Sequence, residues 1–197
     1  MDIYLEFLFS ALLLLGLVSL YEFASNSIVF PNKQIEIWSS GIAIGVMTVI
    51  ILSNPVHVDK GIFVDARWVL LSCAAIFLNW RVVLIGAVIA ASYRFLQGGA
   101  GAVPGVMTVV TAVLVGFLWR KILISFDINF HWYLHYIFAF VLECTIIFVI
   151  YIFMPDGKGP LVAKVITQPL LLLFPIVSTL LSLLLQHHWN RKVLAFE

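Results

Sequence analysis

Charge is what this 197-residue chain has least of: 11% of its residues are charged and 63% are hydrophobic, with a mean hydropathy of +1.11. A soluble domain carries about 25% charged residues, so a wetted surface cannot be built from this composition. The chain reads as a multi-pass integral membrane protein whose first partner is the lipid bilayer. A net charge of +1 excludes the basic footprint of a nucleic-acid-binding protein. Cysteine is scarce too. Cys73 and Cys144 both lie in apolar runs, which argues against a disulfide and marks both as small core residues. The sequence has no nucleophile elbow, P-loop, HExxH or cysteine ligand set, so no catalytic residue, metal centre or cofactor is expected. The N-terminal MDIYLEF has no positive n-region and no small-residue cleavage site; the first apolar run reads as a retained span.

What is there is a series of apolar runs near the length of roughly 20 residues that a crossing helix needs. They cover residues 3–23, 38–53, 102–119, 131–154 and 165–186, with a shorter pair between the second and third. Residues 24–37 read as a polar connector, 57–61 as a loop and 122–130 as a wetter loop. A Pro- and Gly-rich turn fills 155–160. The expected fold is an all-α membrane bundle of six to seven apolar helices including a short central helical hairpin. Residues 1–186 form the membrane domain and 187–197 begin a cytoplasmic helical linker. With the C-terminus inside, Lys33, Arg81, Arg120, Lys121, Arg191 and Lys192 face the cytoplasm and Lys60, Lys158 and Lys164 face out. The positive-inside rule therefore favours N-out, C-in.

The hairpin, residues 63–101, is the centre of the reading. Two apolar runs, 68–78 and 82–93, fold back on each other at Asn79-Trp80-Arg81 and are only 11 and 12 residues long. Either they cross with Asp65, Arg67 and Arg94 inside the membrane boundary, or they form a re-entrant pair. Both arrangements bring Arg67 and Arg94 to one rim. Two guanidiniums there suit a small anion such as a carboxylate, because each presents a planar fork of donors. Asp65 either caps the first helix while Arg67 snorkels, or orients Arg67 as an inward-facing ligand. Tyr93 and Arg94 are either interfacial anchors or part of the same site. Gly98 and Gly99 either break the helix or let backbone N–H groups of 98–101 approach a ligand, with Pro104 opening the next helix.

Elsewhere, Gly86 and Ala90 share one helical face, and Thr108, Ala112 and Gly116 another, which permits close helix approach. His131 and His135 stand at i,i+4 beside Trp132, Tyr133 and Tyr136; with no third ligand nearby they read as an interfacial belt. Glu6 and Glu143 are carboxylates inside apolar spans. Glu143 lies roughly 18 Å down its helix at 1.5 Å per residue and needs a partner or a proton. A structural contact and a proton-linked role are both open.

Asp65-Ala66-Arg67, then Tyr93-Arg94-Phe95-Leu96-Gln97-Gly98-Gly99, then a helix ending in Arg120-Lys121, resemble the LytS-type five-transmembrane receptor domain of bacterial sensor proteins. The family pattern is an (N/D)-x-R triplet, a small-residue hairpin, Y/F-R-x-x-x-G-G and a basic helix end. Fainter similarity reaches Glu6, Glu143 and 169–179. This chain departs in having Asp65 where many relatives carry Asn, and Pro175 and Ser178-Thr179 where relatives often have Asn before Gly-Thr. The resemblance implies an input domain in the bacterial inner membrane that binds a small anion, for some relatives pyruvate. Arg67, Arg94, Asp65, Tyr93, Gly98, Gly99 and Thr108 would form the site, with Glu6 and Glu143 coupling it. It further implies a homodimer that signals through its last helix to a histidine kinase, diguanylate cyclase or partner protein not in this chain. The alternative is a transport protein akin to the substrate-capturing subunit of a small-solute importer; a purely structural membrane partner would leave the arginines without a role.

Overall fold

The computed structural model describes residues 3–28, 30–59, 62–126 and 131–194, with 187–194 described by backbone alone. Lys60-Gly61, residues 127–130 of the expected wet loop and 195–197 of the expected linker lie outside these.

Seven α-helices, one small β-hairpin and a short 3-10 turn (Pro155–Gly157) make up the regular structure of the described residues: α1 (Ile3–Ser27), α2 (Lys33–Leu52), β1 (Val56–Asp59), β2 (Ile62–Val64), α3 (Arg67–Phe77), α4 (Trp80–Gln97), α5 (Ala102–Ser125), α6 (Trp132–Phe153) and α7 (Gly159–Leu194). Helices α1, α2, α5, α6 and α7 are each long and apolar enough to cross a membrane. The architecture is the helical membrane bundle that the composition predicts.

Each long helix buries one stripe and offers the rest to lipid. Phe7, Ser10, Ala11, Leu14, Val18 and Tyr21 are the buried positions of α1, while Leu5, Phe9, Leu12 and Leu20 are exposed. The three-and-four spacing is that of one helical face. That stripe lies on α7, where Phe7 meets Phe174 edge-on at 5.9 Å between ring centroids. Two helices start on asparagine caps: Asn32 Oδ1 accepts from Gln34 N–H at 2.9 Å and Asn79 Oδ1 from Arg81 N–H at 3.0 Å. The first cap starts α2 inside the stretch expected as a connector, because Lys33 and Glu36 extend the helix past its apolar part. Likewise α5 runs on through Arg120 and Lys121 to Ser125.

The central hairpin differs from expectation. Its two helices pack only lightly on each other; α4 lies chiefly against α2, and α3 against α5. The reason is glycine. Side chains Ile85 and Ile89 of α4 fill the space over Gly41 and Gly45 of α2, and Ile44 fills that over Gly86. A Cβ on Gly41 would stand 2.7 Å from Ile85 Cβ, so the close fit requires its absence. On the other side Gly116 of α5 seats Ala75 of α3, where an added Cβ would lie 2.7 Å from the Ala75 Cβ.

Every residue of α3 is buried. At 1.5 Å per residue its 11 residues span about 17 Å, too short for a hydrocarbon core of about 30 Å. Such a helix is tolerated at membrane depth because protein covers it on all sides. Its C-terminus is closed from α5, where Arg120 Nη1 donates to Leu78 O at 2.8 Å.

Three further expectations are corrected. The predicted loop at 57–61 is largely an antiparallel hairpin pairing Val56 with Val64 and His57 with Phe63. Val56 and Val64 are buried against the bundle, which gives the strands the apolar face they need. Cys144 is exposed at the bundle's outer face, whereas Cys73 is buried: only α3 is enclosed all round. His135 is no belt residue; it is buried, hydrogen-bonded to Gln186 Oε1 of α7 at 2.9 Å and set against the Phe77 ring, while His131 is exposed and stacks on Tyr133.

Candidate ligand site

The start of α3, the end of α4 and the start of α5 meet at one end of the bundle. Arg67 opens α3, where Asp65 holds it twice. Asp65 Oδ1 accepts the Arg67 backbone N–H at 3.1 Å, and Oδ2 lies 2.9 Å from Arg67 Nη1. The second contact is an ion pair lacking the angle of a hydrogen bond, since Nη1 has no hydrogen-bond partner. One carboxylate thus holds both the backbone N–H and the guanidinium of Arg67, although the N-cap position of α3 is Ala66. Arg67 Nη2 donates to Gly105 O at 3.2 Å and reaches Thr108 Oγ1 at 3.4 Å. Thr108 in turn donates to Gly105 O at 2.8 Å.

Arg94 arrives from the last turn of α4. Its Nη1 donates to Gly98 O at 3.1 Å and approaches Gln97 Oε1 at 3.5 Å. Gly98 and Gly99 have φ of 66° and 79°, a region open to glycine, and this turn aims the Gly98 carbonyl back at Arg94. The Gly98 N–H is engaged by Phe95 O at 3.1 Å. The turn therefore offers Arg94 an acceptor, and the Gly98 N–H expected at a ligand is spent inside the turn.

Neither arginine snorkels: relative exposure is 2% for Arg67 and 1% for Arg94. They converge on Gly105, where a Cβ would lie 2.7 Å from Arg94 Nε and 2.9 Å from Arg67 Nη2. Two guanidiniums can sit side by side here because α5 has no side chain at this point. Arg67 Nε and Arg94 Nη2 remain buried without a hydrogen-bond partner among the described residues. Buried charged donors are costly to leave unmet.

Beside them is a small, half-open cleft of about 20 Å³, lined by Phe63 and Val64 of β2, Arg67, Trp68, Gly101, Pro104, Gly105, Thr108, and Ile150 and Met154 at the end of α6. Trp68 forms the inner wall. Its indole N–H is shared between Glu143 Oε1 and Oε2, 3.2 Å each, and its ring lies 6.3 Å from that of Phe174 on α7. The fully buried Glu143 thus has its partner inside the bundle.

Other candidates lie at the margin. Tyr93 is half-buried and its hydroxyl is 3.0 Å from Ser53 Oγ at the end of α2. Glu6 of α1 accepts the His57 backbone N–H at 3.2 Å and fastens the β-hairpin. Sequence reasoning missed Gly105 and Trp68. The former stands one turn after Gly101, which signals a second close approach; the latter reads only as the first residue of an apolar run. Among the described residues no cluster of three His, Cys, Asp or Glu could hold a metal.

A family model described as the 5TMR of 5TMR-LYT matches residues 32–188. The chain belongs to that family. The 5TMR-LYT domain is a membrane sensor domain of signalling proteins rather than a catalytic one. The match takes in α2 to α6, α7 as far as residue 188, and the whole arginine cluster, whereas α1 with Glu6 precedes it. No curated protein and no solved structure matches the chain.

Proposed function

We propose that this 5TMR-LYT domain senses a small carboxylate held between Arg67 and Arg94, and passes its presence to the cytoplasm through α7. One observation carries the reading: two buried guanidiniums share a niche around Gly105, with Arg67 Nε and Arg94 Nη2 still lacking partners. A carboxylate has the acceptors to satisfy such donors, and the apolar wall of Phe63, Ile150 and Met154 strengthens the attraction by excluding water. Asp65 keeps Arg67 in place, and Thr108 offers a hydroxyl beside it.

Signal transfer follows from contacts that Trp68 makes on its far edge, with Glu143 on α6 and Phe174 on α7. A ligand shifts an equilibrium only by its different affinity for two states; here the difference would be the seating of Trp68 against those helices. Helix α7 continues past the expected span end at Gln186 to Leu194, the direction in which an output domain would receive it. The cleft faces out and the C-terminus in, in a bacterial inner membrane, with two copies acting together.

The test is thermal unfolding of the detergent-purified chain with pyruvate and related carboxylates, run beside Arg67→Ala and Arg94→Ala. A ligand at 100 times its Kd stabilises the native state by about 2.7 kcal/mol. Stabilisation of the parent and of neither variant is the expected result. Equal stabilisation of all three would place the site elsewhere.

A further inference from the structure

We infer that Asp65 sets the valence of the ligand: the cleft accepts a monoanion and discriminates against a dianion of the same size. The inference rests on the two-arginine reading and adds to it a charge rule that belongs to this chain's own residues.

The charges at the site are few and enclosed. Asp65, Arg67 and Arg94 are 1%, 2% and 1% exposed. Among the described residues the charged groups acting at this pair are Asp65 and the two guanidiniums themselves, which repel each other. Glu143, the other fully buried carboxylate, is held behind the Trp68 indole. Two cations and one anion leave one positive charge in excess. A monoanion brings that total to zero, whereas a dianion leaves one uncompensated negative charge beside Asp65 in a water-poor niche. Buried charge that lacks a partner is strongly disfavoured.

Asp65 cannot step aside to make room for the second negative charge. Its Oδ1 is engaged by the Arg67 backbone N–H at the first turn of α3, and its Oδ2 pairs with Arg67 Nη1. It is a resident carboxylate that already occupies one face of the Arg67 fork. The buried donors without a hydrogen-bond partner are Arg67 Nε and Nη1, the latter already ion-paired to Asp65, and Arg94 Nη2; a carboxylate has two oxygens to accept from both guanidiniums. The remaining cleft wall, Phe63, Val64, Pro104, Ile150 and Met154, carries no cation to meet a second one.

The experiment compares pyruvate with malonate, two three-carbon acids that carry one and two charges at pH 7.5. Binding is measured by calorimetry on the detergent-purified full chain, Asp65→Asn, Asp65→Ser and Asp65→Glu, with Arg67→Ala alongside. Asparagine keeps an acceptor for the Arg67 N–H, and serine is a second neutral residue able to cap the helix. The parent is expected to bind pyruvate about tenfold or more tighter than malonate. Either neutral variant should narrow or reverse that ratio by about tenfold or more, while Asp65→Glu retains it. An unchanged ratio in a neutral variant that still needs Arg67 overturns the charge rule and leaves the two-arginine site standing. Binding that survives Arg67→Ala, or no binding of either acid to the parent, overturns both.

Discussion

Trp68 Nε1 on α3 donates to both carboxylate oxygens of Glu143 on α6, at 3.2 Å each, and the same residue walls the cleft. The two residues are 75 positions apart in sequence. One indole therefore spans the distance from the arginine niche to the bundle's deepest carboxylate.

Replacing Trp68 with Phe should lower stability by about 1–3 kcal/mol, since the ring is largely kept but a buried carboxyl group loses its donor. A Trp68→Phe, Glu143→Leu double variant should recover part of that loss, because neither polar partner remains to be left unmet. Melting temperatures of the three proteins in one detergent check this. A double variant less stable than Trp68→Phe would show that the carboxyl has a further role.

Gly105→Ala should separate binding from folding. The new Cβ meets Arg94 Nε and Cγ and Arg67 Nη2 at under 3 Å, so both buried arginines must be displaced from the niche. Alanine also raises helix propensity by about 1 kcal/mol over glycine. The expected outcome is an unchanged or higher Tm with carboxylate binding reduced about tenfold or more. Full affinity would mean that the guanidiniums do not act from these positions.

Gly45→Val tests the α2–α4 contact. Its Cβ would stand 2.9 Å from Ile89 Cβ, so the helices must part or Ile89 must leave its place. Overpacking of this kind costs about 1–3 kcal/mol, and Ile89→Ala in the same chain should return some of it. Thermal unfolding reads both. No loss in the single variant would show that α4 is free to slide on α2.

Arg120→Ala removes the donor that closes α3 at Leu78 O. A helix end deprived of one such bond loses about 0.5–1.5 kcal/mol. Amide exchange should quicken locally at the turn following α3, with little change near Arg67. Slow exchange throughout would assign the closure to other contacts.

Much of the fold could be read in the sequence because membrane crossing leaves a one-dimensional mark. Long apolar runs and their breaks at Pro55, at 98–101 and at 155–160 gave the order of helices. Arg67 and Arg94 stood out because charge within such runs is scarce. What did not show is which helix lies on which. Apolar side chains face both lipid and protein, so periodicity cannot tell buried Cys73 from exposed Cys144, nor place His135 inside. The pairing of α4 with α2 follows from Gly41 and Gly45 meeting Ile85 and Ile89, a relation between distant segments that no single run carries. The β-hairpin was hidden for a different cause: Val56 and Val64 are a short signal beside polar neighbours, and it is the bundle beneath that gives them something to bury.

The enclosure of α3 bears on what this molecule can be deaf to. Bilayers differ in thickness, and a crossing helix answers by tilting or bending. Helices α1, α2, α5, α6 and α7 present apolar faces outward and must make that adjustment. Helix α3 has no lipid neighbour to answer. Its anchors are Asp65 at one end and Arg120 at the other, both protein, so the spacing between Arg67 and the Gly105 niche is measured against protein alone. The proposed receptor, built on such an inner rod, would read its chemical signal with the same gauge in a thin membrane as in a thick one.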